Sequence, residues 1–158
     1  MESIHIVAYQ PGFQPRIDEM MVRIQQEFSE QITSRHSTVL PDVYNLPRQK
    51  YWVALHGEKV AGTIGLVLYE NGNAVVKRMM VDPSYRAKDF PAAKLLLDTA
   101  FAWAHEQAVK RIYLGTMHQF VGAQKFYVKN GFIEIEKKEL PPDYTVNPMD
   151  TLFYKLVF

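Results

Sequence analysis

The sequence predicts an α/β fold: a three-layer sandwich with a mixed, mostly antiparallel sheet of about six or seven strands flanked by helices. Three observations predict it. A three-strand meander follows an early strand and helix, helical periodicity returns later in two separate blocks, and strands close the chain. Strands and helices do not alternate strictly, so a doubly wound parallel sheet is excluded. The 158 residues suit a single domain over 1–158, and 47% of them are hydrophobic, enough for a core.

Each element has a local cause. Ile4 to Tyr9 is a short apolar run stopped by Gln10-Pro11-Gly12, and it predicts a strand. From Arg16 to Phe28, Ile17, Met20, Met21, Ile24 and Phe28 recur at helical spacing. Residues 29–50 carry Pro41, Asp42, Asn45 and Pro47, which predict a second short helix and an irregular connection. The period then changes. Tyr51–Leu55, Val60–Tyr69 and Ala74–Val81 form the meander, with His56-Gly57-Glu58-Lys59 and the Asn71-Gly72 signal at its turns. A helix follows over about 91–107, where Ala92, Leu95, Leu96, Thr99, Ala100 and Trp103 share a stripe. Arg111–Leu114 is a strand, and Val121–Lys129 is a helix closed by Asn130-Gly131. Phe132–Glu136 and Thr151–Phe158 complete the sheet, joined by a Pro-rich loop from Leu140 to Met149.

Composition removes several function classes. Eighteen basic residues against 17 acidic leave a net charge of +1, which offers nothing to a nucleic acid as principal ligand. There is no cysteine, so disulfides, thiolate metal sites and a cysteine nucleophile are absent. No metal site is expected. Met1–Val7 lacks a basic region followed by a long apolar stretch, and no apolar run approaches the roughly 18 residues of a membrane span. The expected location is the cytoplasm.

The most specific segment is Ala123-Gln124-Lys125-Phe126-Tyr127-Val128-Lys129-Asn130-Gly131-Phe132. It resembles the A-x-x-F-Y-x-x-x-G-F signature of the GNAT superfamily of acyl-CoA N-acyltransferases, and the upstream order of elements agrees over essentially the whole chain. The resemblance implies transfer of an acetyl group from acetyl-CoA to a primary amine of a small molecule or peptide. Attack on the thioester expels a thiolate, which needs a proton or a strong hydrogen bond. A phenol, with an ordinary pKa of about 10, remains protonated at neutral pH and supplies either. By resemblance Tyr127 is that acid. A core tyrosine bonded to the backbone is the alternative its spacing allows. With no cysteine to carry an acyl group, direct transfer in a ternary complex is expected.

The resemblance also places the coenzyme. Lys77–Arg86 is similar to the family's strand, V-x-P turn and Y-R approach to its pyrophosphate loop, and loop amides with a helix N-terminus suit such an anion. The implied contacts are Met79, Met80, Val81, Arg86, Ala87, Lys88, Asp89, Pro91 and Ala92. The loop departs from the pattern: Arg86-Ala87-Lys88-Asp89 lacks both expected glycines, and Phe90-Pro91 resembles an insertion. The acceptor side is poorer still. The position where many relatives carry a glutamate base reads Ala74-Val75-Val76. Glu70, Thr116 and His118 are the candidates left for acceptor contact or proton transfer, and each is equally a surface or capping residue. Tyr44, Tyr51, Trp52 and Tyr144 are candidate cavity aromatics or core. A GNAT-fold module that binds acyl-CoA or a protein without turnover fits the lost glycines and base, but not the retained tyrosine. Relatives commonly pair through a sheet edge or helices, so the resemblance admits a homodimer.

Overall fold

The computed structural model describes residues 3–32, 48–86 and 91–158. Seven strands form one sheet: β1 (Ile4–Ala8), β2 (Gln49–His56), β3 (Lys59–Leu68), β4 (Asn73–Val81), β5 (Arg111–Thr116), β6 (Ile133–Ile135) and β7 (Leu152–Val157). Their spatial order is β1-β2-β3-β4-β5-β7-β6, antiparallel everywhere except between β4 and β5. Among the described residues the α-helices are α1 (Gln14–Gln25), α2 (Ala92–Glu106) and α3 (Val121–Lys129). The expected sheet is present, and most elements start or stop within two or three residues of their expected bounds. The short helix expected within 29–50 falls largely on 33–47, outside the described residues.

Alternation along the strands builds three layers. On β2, Trp52 and Ala54 face α2, where Trp103 meets Trp52 edge to face at 5.9 Å between ring centroids. Tyr51 and Val53 face the opposite way, into a second cluster with Ile17, Met20 and Ile24 of α1. The helix α3 lies on the α2 side, through Phe126 and Tyr127. The turn between β3 and β4 is tight, as the Asn-Gly pair predicts: Asn71 and Gly72 have φ of 63° and 76°.

Two irregularities position the site. Register between β3 and β4 slips, so Thr63 opposes Met80 while Gly65 opposes Lys77. The extra residue sits on β4, where Arg78 has φ of 50°, and the Thr63 hydroxyl donates to its carbonyl at 2.8 Å. This is a β-bulge, which bends the strand. The second irregularity is the parallel ladder between β4 and β5. It runs from Asn73↔Arg111 to Val75↔Tyr113 and then stops, although both strands continue. The sheet splays open at its middle.

Candidate active site

The splay opens into a cleft of about 1030 Å³. Lys77–Val81 line one wall and Leu114–Met117 the other, with Phe126 and Tyr127 of α3, Met21 and Ile24 of α1, and Tyr144 and Asp150 of the loop before β7 around it. Beyond Val75 the edge of β4 facing β5 carries no strand partner. A ligand with amide groups would satisfy that edge, as a further strand would. Three buried polar atoms lining the cleft also lack partners among the described residues: Arg78 Nη2, Gln119 Nε2 and Gln119 Oε1. Buried polar groups are normally paired, so these are free to meet ligand or water. The arrangement fits a long, amide-bearing molecule such as the pantetheine arm of coenzyme A.

Tyr127 owes its position to the end of α3. Gly131 has φ of 98°, the left-handed conformation that favours glycine, and lets the chain turn back sharply. The Phe132 amide then bonds the Tyr127 carbonyl at 3.0 Å and the Gly131 amide bonds the Val128 carbonyl at 3.2 Å. That is a Schellman closure, and its expected apolar contact is the edge-on packing of Phe132 against the Tyr127 ring, 5.6 Å between centroids. The spacing from Tyr127 to Gly131-Phe132 therefore has a mechanical meaning: the glycine and phenylalanine clamp the tyrosine. The residue is 4% exposed. No described residue hydrogen-bonds its hydroxyl, so among the described residues the backbone partner of a core tyrosine is absent. Burial first, then the nearby Asp150 charge and Tyr154, push its phenol well above the ordinary tyrosine range. The proton stays on at any working pH.

Asp150 is the site residue that the sequence did not single out. It packs on Gly115 of β5 so closely that a Cβ there would lie 2.9 Å from its Cγ. Burial raises its carboxyl to about 6, with Lys77 pulling the other way. Burial likewise lowers the Lys77 ammonium, opposed by Asp150. Lys77 Nζ also stands 5.3 Å from the centre of the Tyr144 ring. Tyr144 is raised by burial, then by Asp150 and Tyr69. No local pattern marks Asp150: it follows Asn147-Pro148-Met149 in an irregular loop, and only the fold brings it to β5.

The other sequence candidates divide. Met79, Met80, Val81, Arg86 and Thr116 line the cleft with Tyr127 and Tyr144. Arg86 is engaged within the protein, donating from Nε to the Val81 carbonyl at 3.0 Å and from Nη1 to Glu27 at 2.7 Å. Pro91 and Ala92 begin α2 just outside the lining, which Ala93 joins. Ala87, Lys88, Asp89 and Tyr44 lie outside the described residues. Glu70 and His118 are not in the cleft lining. Glu70 is 76% exposed beside Arg48, and the His118 ring is 63% exposed, 3.7 Å from Glu30. Tyr51 stacks on Tyr9 and Trp52 packs on Trp103, both within the core.

A sheet split between two parallel strands, with a bulged strand beside the gap, is the fold of the acyl-CoA N-acyltransferases, and similarity to known proteins places this chain among them. The chain belongs to the GNAT acetyltransferase family, whose model matches residues 17–132. A GNAT-family acetyltransferase from Staphylococcus aureus Mu50 superposes with a TM-score of 0.87 at 30% identity, covering 98% of this chain and 99% of its own. An acetyltransferase from Streptococcus agalactiae 2603 gives 0.87 at 23% identity over the full length of both chains. The PaiA N-acetyltransferase of Thermoplasma acidophilum, solved with coenzyme A, gives 0.74 at 17% identity over 99% of both. No curated protein matches the chain significantly.

Proposed function

We propose that this single-domain protein transfers an acetyl group from acetyl-CoA to a primary amine, directly, with Tyr127 as the proton donor to the departing thiolate. One observation carries the reading: Tyr127 lines the splay with no hydrogen-bond partner for its hydroxyl among the described residues, and burial keeps it protonated. The open β4 edge over Met79–Val81 would hold the pantetheine amides, and the start of α2 with Arg86 and the 87–90 segment would hold the pyrophosphate. In the coenzyme A complex of the Thermoplasma acidophilum enzyme the same fold carries this ligand, which supports the donor. When bound, acetyl-CoA supplies the activated acyl group. Tyr127 gives its proton to the sulfur as the C–S bond breaks, and Thr116 with the Tyr144 wall lines the acceptor's approach.

The acceptor's charge is limited by the lining. Charged side chains among the described lining residues are Lys77, Arg78, Arg86 and Asp150, three cations to one carboxylate. A polyamine is disfavoured there, and an amine on an apolar or aromatic arm is favoured. The competing reading, a binding module without turnover, draws on Arg86, whose guanidinium is tied to Glu27.

Thiol release from acetyl-CoA, measured with tyramine, hexylamine, spermidine and a lysine peptide, tests the reading. Turnover is expected, with spermidine the poorest of the four. Tyr127→Phe lowers kcat by about 10²-fold, within the usual range for loss of a general acid. An unchanged rate removes Tyr127 from the reaction. Thermal stabilisation by coenzyme A without turnover on any amine selects the binding module instead.

A further inference from the structure

We propose that Asp150 is the general base of this transfer, taking a proton from the acceptor's ammonium on the face of the cleft opposite Tyr127. The inference rests on the acetyltransferase reading above and supplies the one chemical role it leaves empty. An amine attacks only through a free lone pair, and most primary amines are protonated at neutral pH. A side chain in the cleft that takes this proton raises the fraction of bound amine able to attack. Among the described lining residues Asp150 is the only carboxylate. The two titratable candidates visible in the sequence are elsewhere, with Glu70 on the surface hairpin and His118 facing Glu30.

Geometry puts the two groups on opposite sides of the split sheet. Leu114 points into the cluster that holds Tyr127 and Phe126, so Gly115, the next residue on β5, presents its Cα to the other face. Asp150 packs on that face of Gly115, the face whose buried cluster holds Tyr113, Tyr144 and Val75. The absent side chain at Gly115 is what lets the carboxylate come against the strand. A nucleophile entering over Asp150 would add to the carbonyl carbon from that side, and the thiolate expelled from the tetrahedral carbon would leave toward Tyr127, so base and acid serve different atoms of the same centre. Backbone bonds hold the segment: Asp150 N to the Asn147 carbonyl at 3.0 Å and Thr151 N to the Thr116 carbonyl at 2.9 Å.

Among the described residues the titratable and charged groups around the carboxylate are few. Lys77 approaches from β4, Tyr144 from the same loop with Tyr69 behind it, and Tyr127 from α3; Arg78 lines the same cleft. Burial raises Asp150 toward neutrality while Lys77 restrains it. A carboxyl near 6 is still ionised at pH 7 yet is a better proton acceptor than an ordinary aspartate. The protons balance. Asp150 takes one from R–NH3+, the nitrogen forms the C–N bond as the C–S bond breaks, and Tyr127 protonates the sulfur. The second proton lost by nitrogen restores Tyr127 through solvent, and Asp150 returns its own proton to water, so one proton is released per turnover.

The test uses the full chain, acetyl-CoA and whichever panel amine turns over fastest, with hydroxylamine as a second acceptor that is uncharged at neutral pH. Asp150→Asn is expected to lower kcat/KM for the charged amine about 10²-fold or more and to abolish the acid limb of its pH profile near pH 6. The same variant should affect hydroxylamine at least tenfold less, and its thermal stabilisation by coenzyme A should match wild type. Lys77→Met, which removes the opposing cation, should move the acid limb to higher pH. A retained rate and limb in Asp150→Asn overturns the proposal, and so does an equal loss on both acceptors, which marks a structural role. A wild type inert on every amine removes the parent reading and this one with it.

Discussion

Asp150 is ionised at neutral pH in a partly apolar cleft, and the folded protein bears a cost for it. Its carboxyl is raised from an ordinary 3.8 to about 6, chiefly by burial. The native state therefore holds that proton more tightly than the unfolded chain does. The stability this contributes is complete below about pH 3.8 and is lost as pH rises through 6. Asp150→Asn removes the penalty, so its melting temperature at pH 7.5 should exceed wild type, with the gain vanishing by pH 4. Partial solvent contact limits the effect to about 1 kcal/mol, or roughly 2–4 °C for a chain of this size. Paired melts at the two pH values check both the sign and its pH dependence. Loss of activity together with a gain in stability is the signature of a residue kept for chemistry.

At the scale of the element, β5 and the end of α3 act as mounts. Gly115 holds open the place that Asp150 occupies. Gly115→Ala forces the carboxylate aside, with an expected loss of about 1–3 kcal/mol in denaturant unfolding, as for other overpacked sites. Displacement of the proposed base should also lower kcat/KM at least about tenfold, since small misplacements of reacting groups are costly. The bulge on β4 depends on a different device. Thr63 is 1% exposed, and its hydroxyl caps the carbonyl of Arg78 where the strand turns through a positive φ. That bond stabilises the irregular backbone beside the cleft and keeps the Met79–Val81 edge presented to it. On the other side of the strand, Asp82 receives Arg23 of α1 through Nε at 2.7 Å and accepts from Ser84 N at 3.0 Å. The turn that leads toward α2 is thereby tied to α1.

For the whole molecule, the split in the sheet is the consequence that matters. An intact parallel ladder would satisfy the backbone of β4 along its length, whereas this one leaves its C-terminal half facing a cleft. A bound donor would complete the sheet. Coenzyme A at 100 times its dissociation constant should therefore raise the folding free energy by about 2.7 kcal/mol. That corresponds to a rise of roughly 5–10 °C in melting temperature. Differential scanning fluorimetry against coenzyme A concentration reads it directly, and a flat response would argue against the donor site. No described helix is long and apolar enough to cross a membrane.

The elements were largely legible because each has a local cause. Asn71-Gly72 specifies its turn through backbone freedom, and the apolar stripes of α1 and α2 specify their faces. Tyr127 was legible for a similar reason: Gly131 and Phe132 stand four and five residues after it, and the Schellman closure is local chemistry. The parallel ladder ending at Val75, the bulge at Arg78 and the meeting of Asp150 with Gly115 have no such signature. Asp150 and Gly115 are far apart in the chain, and an isolated aspartate after a proline loop reads as surface. Its raised carboxyl comes from burial, a property of the folded chain, so the sequence determined the architecture and the mounting of Tyr127 while tertiary structure alone decided where a carboxylate enters the cleft.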